Sequence, residues 1–264
     1  HHTAYIDCDP GQSVIGPPTT VGMMVHRAGM HTDSGIHTGS QKGTNEKNDQ
    51  NDVHLRFVGS TSPHRHLLQI VTGIKRLQDR AVEQNARKIV FDSCGFVNGK
   101  MAREFQFQVI ELLQPEYLVA FKKGHSVDLL LENFTRSSTM KIVKLPVSQE
   151  VVERDLRERR NYREKRYRWF LQNLDLREIN IKNLGMHGMI PDFRQPRRLR
   201  NLIFALCDKE QFIVTLGILR TVHVGERRLV FYSPPLDPRK VASLQFGSIY
   251  LSIGGHELKK HEHT

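Results

Sequence analysis

The chain has 264 residues, 38% of them hydrophobic and 25% charged: enough apolar material for one large domain, or a medium domain with a smaller one, and too much for wholesale disorder. Its 39 Lys and Arg against 28 Asp and Glu leave a net charge of +11, a surplus that favours polyanionic partners, nucleic acid first among them. No apolar run of about 18 residues exists, no signal-peptide pattern opens the chain, and Cys8, Cys94 and Cys207 stand far apart without a C-x-x-C pair; these features exclude a membrane-spanning helix, a disulfide framework and a structural zinc site, and make the cytoplasm (nucleus or nucleolus in a eukaryote) the expected compartment.

The chain opens without Met, inside what reads as the end of a strand at residues 3–7, so a missing N-terminal segment is expected. A loop rich in Gly and Pro follows through Gly16-Pro17-Pro18, then a short apolar run from Val21 to Val25. Residues 29–52 are almost entirely polar or Gly and are expected to form a mobile insertion. Leu55 to Val58 restores an apolar run ahead of the turn Gly59 to Pro63, and the spacing of Leu67, Leu68, Ile70, Val71, Ile74, Leu77 and Ala81 predicts a helix over residues 63–83. Strands are expected at Lys88 to Asp92, Tyr117 to Phe121 and Met140 to Leu145, with helices at Lys100 to Leu113 and Leu129 to Phe134 between them. This alternation predicts an α/β fold with a mostly parallel sheet and helices on both faces, binding ligands beyond the carboxyl ends of the strands. Residues 148–173 read as one long arginine-rich helix. Beyond residue 176, Leu202 to Leu206, Phe212 to Val222, Arg227 to Tyr232 and Gly247 to Ile253 read as strands of a small antiparallel β domain, giving two domains, 1–176 and 177–264.

Four places hold residues able to carry chemistry. In Asp7-Cys8-Asp9-Pro10-Gly11-Gln12-Ser13, two carboxylates at i and i+2 lie where a strand leaves the sheet; they could hold a hydrated Mg2+ or accept the proton of a hydroxyl nucleophile, or else form a solvated turn capped by Asp. Asp92-Ser93-Cys94-Gly95-Phe96-Val97-Asn98-Gly99 again ends a strand in a carboxylate and adds a ring that could stack on a base or sit in the core; by spacing alone, Asp92 and the Asp7/Asp9 pair are equivalent acidic strand ends. Arg159 and Arg163, four apart in a run that includes Arg154, Arg157, Arg160, Arg166 and Arg168, could clamp a transferring phosphoryl group or belong to a solvated helix paired with Glu158 and Glu164, held down by some of Tyr162, Tyr167, Trp169 and Phe170. Arg194, Arg197, Arg198 and Arg200 around Pro196 read as a flexible basic linker suited to phosphate contacts. His64, His66, His256, His261 and His263 lack converging carboxylates, and no metal site is expected from them.

The stretch from Asp7 to Pro18 resembles the D-x-D-x-G-Q motif of the P-loop polynucleotide 5′-hydroxyl kinases, a family that includes a pre-mRNA cleavage-complex subunit, rRNA-processing kinases and archaeal polynucleotide kinases. The likeness continues through Arg56-Phe-Val-Gly-Ser-Thr-Ser-Pro63, the clasp-like Phe91 to Gly99, the R-x-x-x-R of Arg159 to Arg163, and Gly247 to Leu251 with Gly255-His-Glu-Leu258. The resemblance implies a P-loop NTPase-like α/β fold lacking its first βα unit, and transfer of the γ-phosphate of ATP to the 5′-hydroxyl of RNA or DNA during RNA processing. It implies Asp9 as base, Asp7 and Gln12 around Mg2+, with the order of the two acids open. Arg159 and Arg163 would close over the phosphates, while Ser93, Gly95, Phe96, Arg160 and Arg166 would meet the nucleic acid. Two departures stand out: Ser93-Cys-Gly-Phe96 replaces the usual T-x-G-W, and no G-x-x-x-x-G-K-[ST] loop occurs, the nearest sequence, Gly39-Ser-Gln-Lys42-Gly43-Thr44, having the wrong order. A truncated chain of impaired activity is therefore expected, with a non-catalytic nucleic-acid-binding scaffold as the rival reading; the sequence names no protein partner.

Overall fold

A computed structural model describes residues 2–27, 53–121 and 125–259; the expected insertion at 29–52 lies outside the described residues. The chain forms two compact units, residues 1–93 with 159–264, and residues 94–158. These do not follow the expected division at residue 176.

The larger unit holds two sheets. The first comprises β1 (His2–Asp7), β2 (Thr20–Arg27), β3 (Val53–Phe57) and β4 (Lys88–Asp92) in the order β3-β2-β1-β4. β1 pairs with β4 in parallel, while β2 runs antiparallel to both β1 and β3, so the sheet is mixed. Helix α1 (Leu67–Glu83) packs against it through Ile70, Gly73, Ile74, Leu77 and Ala81, the helical spacing of the sequence. The helix starts four residues later than expected, after the turn in which the His66 amide donates to the Pro63 carbonyl (2.9 Å). It stops at Asn85, which takes a left-handed φ of 59° while the Ala86 amide returns to the Ala81 carbonyl (3.0 Å).

The second sheet has seven strands in the order β13-β12-β9-β10-β11-β7, with β8 paired to β12: β7 (Asp175–Asn180), β8 (Gly185–Gly188), β9 (Leu202–Cys207), β10 (Ile213–His223), β11 (Arg228–Ser233), β12 (Ser243–Leu251) and β13 (Glu257–Leu258). Its ladders are antiparallel except β8 with β12. All six residues of β9 are buried, because the strand is covered on both faces. Leu202, Phe204 and Leu206 enter a core with Phe231 and Phe246, whose rings lie 5.3 and 5.6 Å from that of Phe204. Ile203, Ala205 and Cys207 enter another that contains Phe57 of β3 and Tyr167 and Leu171 of the arginine-rich segment. That second core explains why the two sheets share one unit: Tyr167 is fully buried against strands expected to belong to a separate domain. The Gln245 side-chain amide donates to the Phe57 carbonyl (3.0 Å), and the Arg56 guanidinium donates to the Gln211 carbonyl (2.5 Å), tying the same two sheets.

The smaller unit contains α2 (Lys100–Leu113), α3 (His125–Leu131) and a parallel pair, β5 (Tyr117–Phe121) with β6 (Lys141–Leu145). The arginine-rich helix α4 is Leu156–Phe170, shorter than the expected 148–173. Its start is a reciprocal cap: Asp155 Oδ1 accepts from the Glu158 amide (2.7 Å) and Glu158 Oε2 from the Asp155 amide (2.9 Å). Among the described residues, no helix is long and apolar enough to cross a membrane.

Candidate functional site

β1 delivers Asp7 to the end of the first sheet, where Cys8 still bonds to β4 through its amide and the Asp92 carbonyl (2.9 Å). The chain then turns at Pro10-Gly11 and comes back on itself. Asp7 is 2% exposed, and both its oxygens accept bonds from that returning loop. Oδ1 accepts from the Asp9 amide (3.0 Å), while Oδ2 accepts from the Ser13 hydroxyl (2.9 Å) and the amides of Val14 (2.6 Å) and Ile15 (3.4 Å). Burial pushes the Asp7 carboxyl above the usual carboxylate range, and these four donors pull the other way. Asp9, partly exposed, uses Oδ1 to accept from the amides of Gly11 (2.7 Å) and Gln12 (3.1 Å). The two acids therefore have different jobs: Asp7 builds the loop from behind, and Asp9 caps its tip. A Cβ at Gly11 would lie 2.5 Å from the Thr61 carbonyl oxygen, so the loop passes too close to its neighbour for any side chain there.

Helix α4 docks on the same loop. The Tyr162 hydroxyl donates to the Ser13 carbonyl (3.0 Å), and the Arg166 guanidinium donates to the carbonyls of Val14 (2.7 Å) and Gly16 (3.0 Å). Arg166 also lies over the Trp169 and Phe170 rings, at 5.4 and 5.1 Å. The R-x-x-x-R pair is split. Arg159 is exposed, whereas Arg163 forms a two-point ion pair with Glu257 of β13 (2.5 and 3.1 Å), with the two side chains 17% and 18% exposed. Arg160 reaches Glu164 (3.1 Å) and the Glu257 carbonyl (2.8 Å), and His256 Nδ1 lies 2.9 Å from the other Glu164 oxygen. Gly255, at φ 79°, lets this C-terminal segment lie on the helix: a Cβ there would stand 2.7 Å from Arg168 Cγ.

These contacts make a pH-dependent latch between α4 and residues 255–258. Burial pushes the Glu164 carboxyl up, but its bonds to His256 and Arg160 outweigh burial and hold it below the ordinary value of 4.5. A depressed folded value means that the ionised form stabilises the fold, fully above pH 4.5 and progressively less as the pH falls through the folded value. Trp169, the single tryptophan, rides on α4. Its fluorescence should hold steady from neutral pH down to about 4.5 and change below it, and Glu164→Gln should flatten that change.

A model of the family described as mRNA cleavage and polyadenylation factor CLP1 P-loop matches residues 1–173. The chain belongs to the CLP1 P-loop family. Relatives of this CLP1 P-loop chain include the polyribonucleotide 5′-hydroxyl-kinase of Methanocaldococcus jannaschii, 22% identical over 308 residues that span 97% of the chain and 80% of the relative. The polyribonucleotide 5′-hydroxyl-kinase of Thermococcus kodakarensis is 24% identical over 306 residues, 97% and 81% of the two chains. Among solved structures, wild-type Clp1p in complex with Pcf11p superposes with a TM-score of 0.65 at 13% identity, over 95% of this chain and 67% of that one. A structure of the extended interface between Pcf11p and Clp1p gives 0.63 at 12% identity, over 95% and 68%. The α/β fold with a parallel-containing sheet and a separate antiparallel sheet is thus the fold of Clp1.

Within this CLP1 P-loop fold the expected site residues are spread unevenly. Asp7, Asp9, Gln12, Arg159, Arg160, Arg163 and Arg166 lie in the larger unit, and Ser93 ends exposed just after β4. Gly95 and Phe96 belong to the smaller unit. There the Gln106 side-chain amide donates to the carbonyls of Cys94 (3.2 Å) and Phe96 (3.0 Å), and the Phe96 ring lies 6.2 Å from that of Phe105. Phe96 is half-buried, so one part of the ring packs inward and the rest stays accessible. Arg160 and Arg166, expected on nucleic acid, each donate to a carbonyl of the protein's own backbone in this structure. The sequence reading names Glu257, His256 and Ser13 without their partners, Arg163, Glu164 and Asp7; the Gly255-His-Glu-Leu258 likeness was the signal pointing at the first two.

A bound Mg2+ fits part of the expected set. Asp7 is buried, and its Oδ2 accepts from three donors of the returning loop, so of its two oxygens only Oδ1, with the single Asp9 amide on it, keeps a lone pair. Asp9 Oδ2 and the partly exposed Gln12 side chain at the loop tip are the groups whose chemistry suits a hydrated cation. Among the described residues no cluster of three or more His, Cys, Asp or Glu could enclose a metal by itself.

Proposed function

We propose that this chain carries the acid loop and lid of an ATP-dependent polynucleotide 5′-hydroxyl kinase acting on RNA or DNA ends in RNA processing. The hydroxyl oxygen attacks the γ-phosphorus, the bond from that phosphorus to the β,γ-bridging oxygen breaks, ADP leaves, and the hydroxyl proton passes to Asp9. The supporting observation is the division of labour in the loop: Asp7 is buried and bonded to the returning loop, Asp9 is partly exposed with Oδ1 held by two amides, and this reading therefore assigns proton acceptance to Asp9 Oδ2. Asp7 is a positioning residue. Gln12 and Asp9 would hold Mg2+ through its water shell, and the ion, when bound, neutralises charge on the transferring phosphoryl group.

Arg163 reaches phosphate only after leaving Glu257. Arg159 is exposed on α4, and in this reading it is the first of the pair to meet a polyanion. Glu257→Gln should therefore raise kcat or lower KM for ATP a few-fold if release of Arg163 limits closure, whereas Arg163→Ala should lower kcat more than it weakens ATP binding. Steady-state kinetics of both variants check this.

The reaction itself is tested by incubating γ-labelled ATP with a 5′-hydroxyl oligoribonucleotide and following label into the strand. The 264 residues contain no G-x-x-x-x-G-K-[ST] loop to cradle the β- and γ-phosphates, so transfer by these residues should be slow. Oligonucleotide binding without any transfer would leave a nucleic-acid-binding scaffold.

A further inference from the structure

The arginines at residues 194–200 take no part in the loop, the lid or the latch. Their segment was expected to be a flexible linker, and the structure shows an anchored turn. Pro196–Leu199 forms a single 3-10 turn, with the Arg198 amide on the Gln195 carbonyl (3.0 Å). Leu199 is 5% exposed and sits in the core with Phe204 and Phe246, while the Phe193 ring packs edge-on to Phe246 at 5.7 Å. Just past the turn, the Asn201 amide donates to the Leu219 carbonyl and its own carbonyl accepts from the Leu251 amide, both at 2.7 Å. The backbone is thus fixed at both ends, and Arg197, Arg198 and Arg200 project from it, all exposed. Arg194 is paired with Asp192 at 3.0 Å. Arg197, Arg198 and Arg200 form no ion pair among the described residues.

Three exposed cations on one anchored turn, without acids to neutralise them, form a site for a chain of anions. Binding has to order the three side chains but not the backbone that carries them, because that is already set. Solvated isolated arginines on a mobile loop would lack that advantage. We propose that the Arg197-Arg198-Leu199-Arg200 turn is a second polynucleotide site, which holds the sugar–phosphate backbone of single-stranded RNA without reading its bases. The identity of the polyanion rests on the kinase reading, and the site extends that reading from a strand's 5′ end to a strand long enough to be held elsewhere as well.

Equilibrium binding tests this without turnover. A 5′-phosphorylated 20-nucleotide RNA, which is no acceptor for a 5′-kinase, is titrated by fluorescence anisotropy over a range of KCl, with the wild-type chain and with R197A/R198A/R200A. Each phosphate contact on a single strand contributes about 0.7 to the slope of log K against log salt, so the triple variant should lose about 2 from that slope. The triple Arg→Lys variant keeps the charges and should keep the slope. An unchanged slope in the alanine variant overturns the proposal, and so does an equal loss in the lysine variant, which would mark the arginines as structural. Loss of binding to vesicles rich in anionic lipid, with RNA binding intact, would reassign the turn to a membrane surface and equally overturn it. A changed slope in a protein that transfers no phosphate would sink the kinase reading and leave this site standing; normal transfer with an unchanged slope would do the reverse.

Discussion

Asp9→Asn should lower kcat by about 10²- to 10⁴-fold in whichever form of the protein transfers phosphate, with oligonucleotide affinity left within about two-fold, because a positioned general base contributes that much to proton transfer. The substitution is a clean probe because of how Asp9 is held. Its Oδ1 accepts from the amides of Gly11 and Gln12, and an Asn oxygen can accept both bonds equally, so the loop keeps its shape. What changes is the other atom: an amide nitrogen cannot take up a proton. Asp7→Asn is a different experiment. There Oδ2 faces three donors, and an amide group would either turn its NH2 onto them or leave the Asp9 amide unpaired. With the site 2% exposed, that variant should lose stability by about 1–3 kcal/mol and activity with it. Single-turnover kinetics beside thermal melts separate the two outcomes. Wild-type turnover in Asp9→Asn would move the base to another residue.

Gly59→Ala should be strongly destabilising for so small a substitution. Gly59 follows β3 at φ 81°, and a Cβ there would stand 2.6 Å from the Gly247 Cα. The contact is reciprocal, since a Cβ at Gly247 would lie 2.7 Å from the Gly59 oxygen. Across this crossing the Ser248 amide donates to the Gly59 carbonyl (2.8 Å), and on the other side the Gly59 amide donates to the Thr19 carbonyl (3.1 Å). Neither backbone can retreat without breaking bonds, so the methyl group adds left-handed strain of about 1–2 kcal/mol to overpacking of about 1–3 kcal/mol. At about 2–4 °C per kcal/mol for a domain of this size, the melting midpoint should fall by about 10 °C. Gly95→Ala is the control: nothing lies within 4 Å of its added carbon, and its midpoint should not move. A midpoint unchanged in Gly59→Ala would mean that the two sheets do not meet there.

Elements with a strong apolar rhythm were legible in the sequence. Helix α1 and strands β4, β5 and β9 to β11 lie within a few residues of where their side chains place them: α1 buries the face that its periodicity displays, β9 to β11 are apolar runs taken into the core, and β4 and β5 are short β-branched and aromatic runs that form strands although they bury no residue. β7 was missed: Asp-Leu-Arg-Glu-Ile-Asn is an edge strand whose charges are exposed or paired, Glu178 with Arg228 across to β11, so no hydrophobic alternation announces it. The start of α4 was visible as Asp155-x-x-Glu158 but was masked by the density of charge around it. At the site, the sequence marked the right loop and could not assign the acids, since what distinguishes Asp7 from Asp9 is the path of residues 13–15, a tertiary outcome. The hold on Arg163 joins residues 94 apart in sequence, beyond any local rule.

Cys8, Cys94 and Cys207 are all buried and reduced. Burial pushes the Cys207 thiol up to about 12, against the pull of the Arg56 charge, so almost none of it is thiolate at neutral pH. Maleimide dyes should therefore ignore the native chain. A cysteine introduced at exposed Arg157, at the head of α4, would give a site-specific fluorescent label without first removing the native thiols.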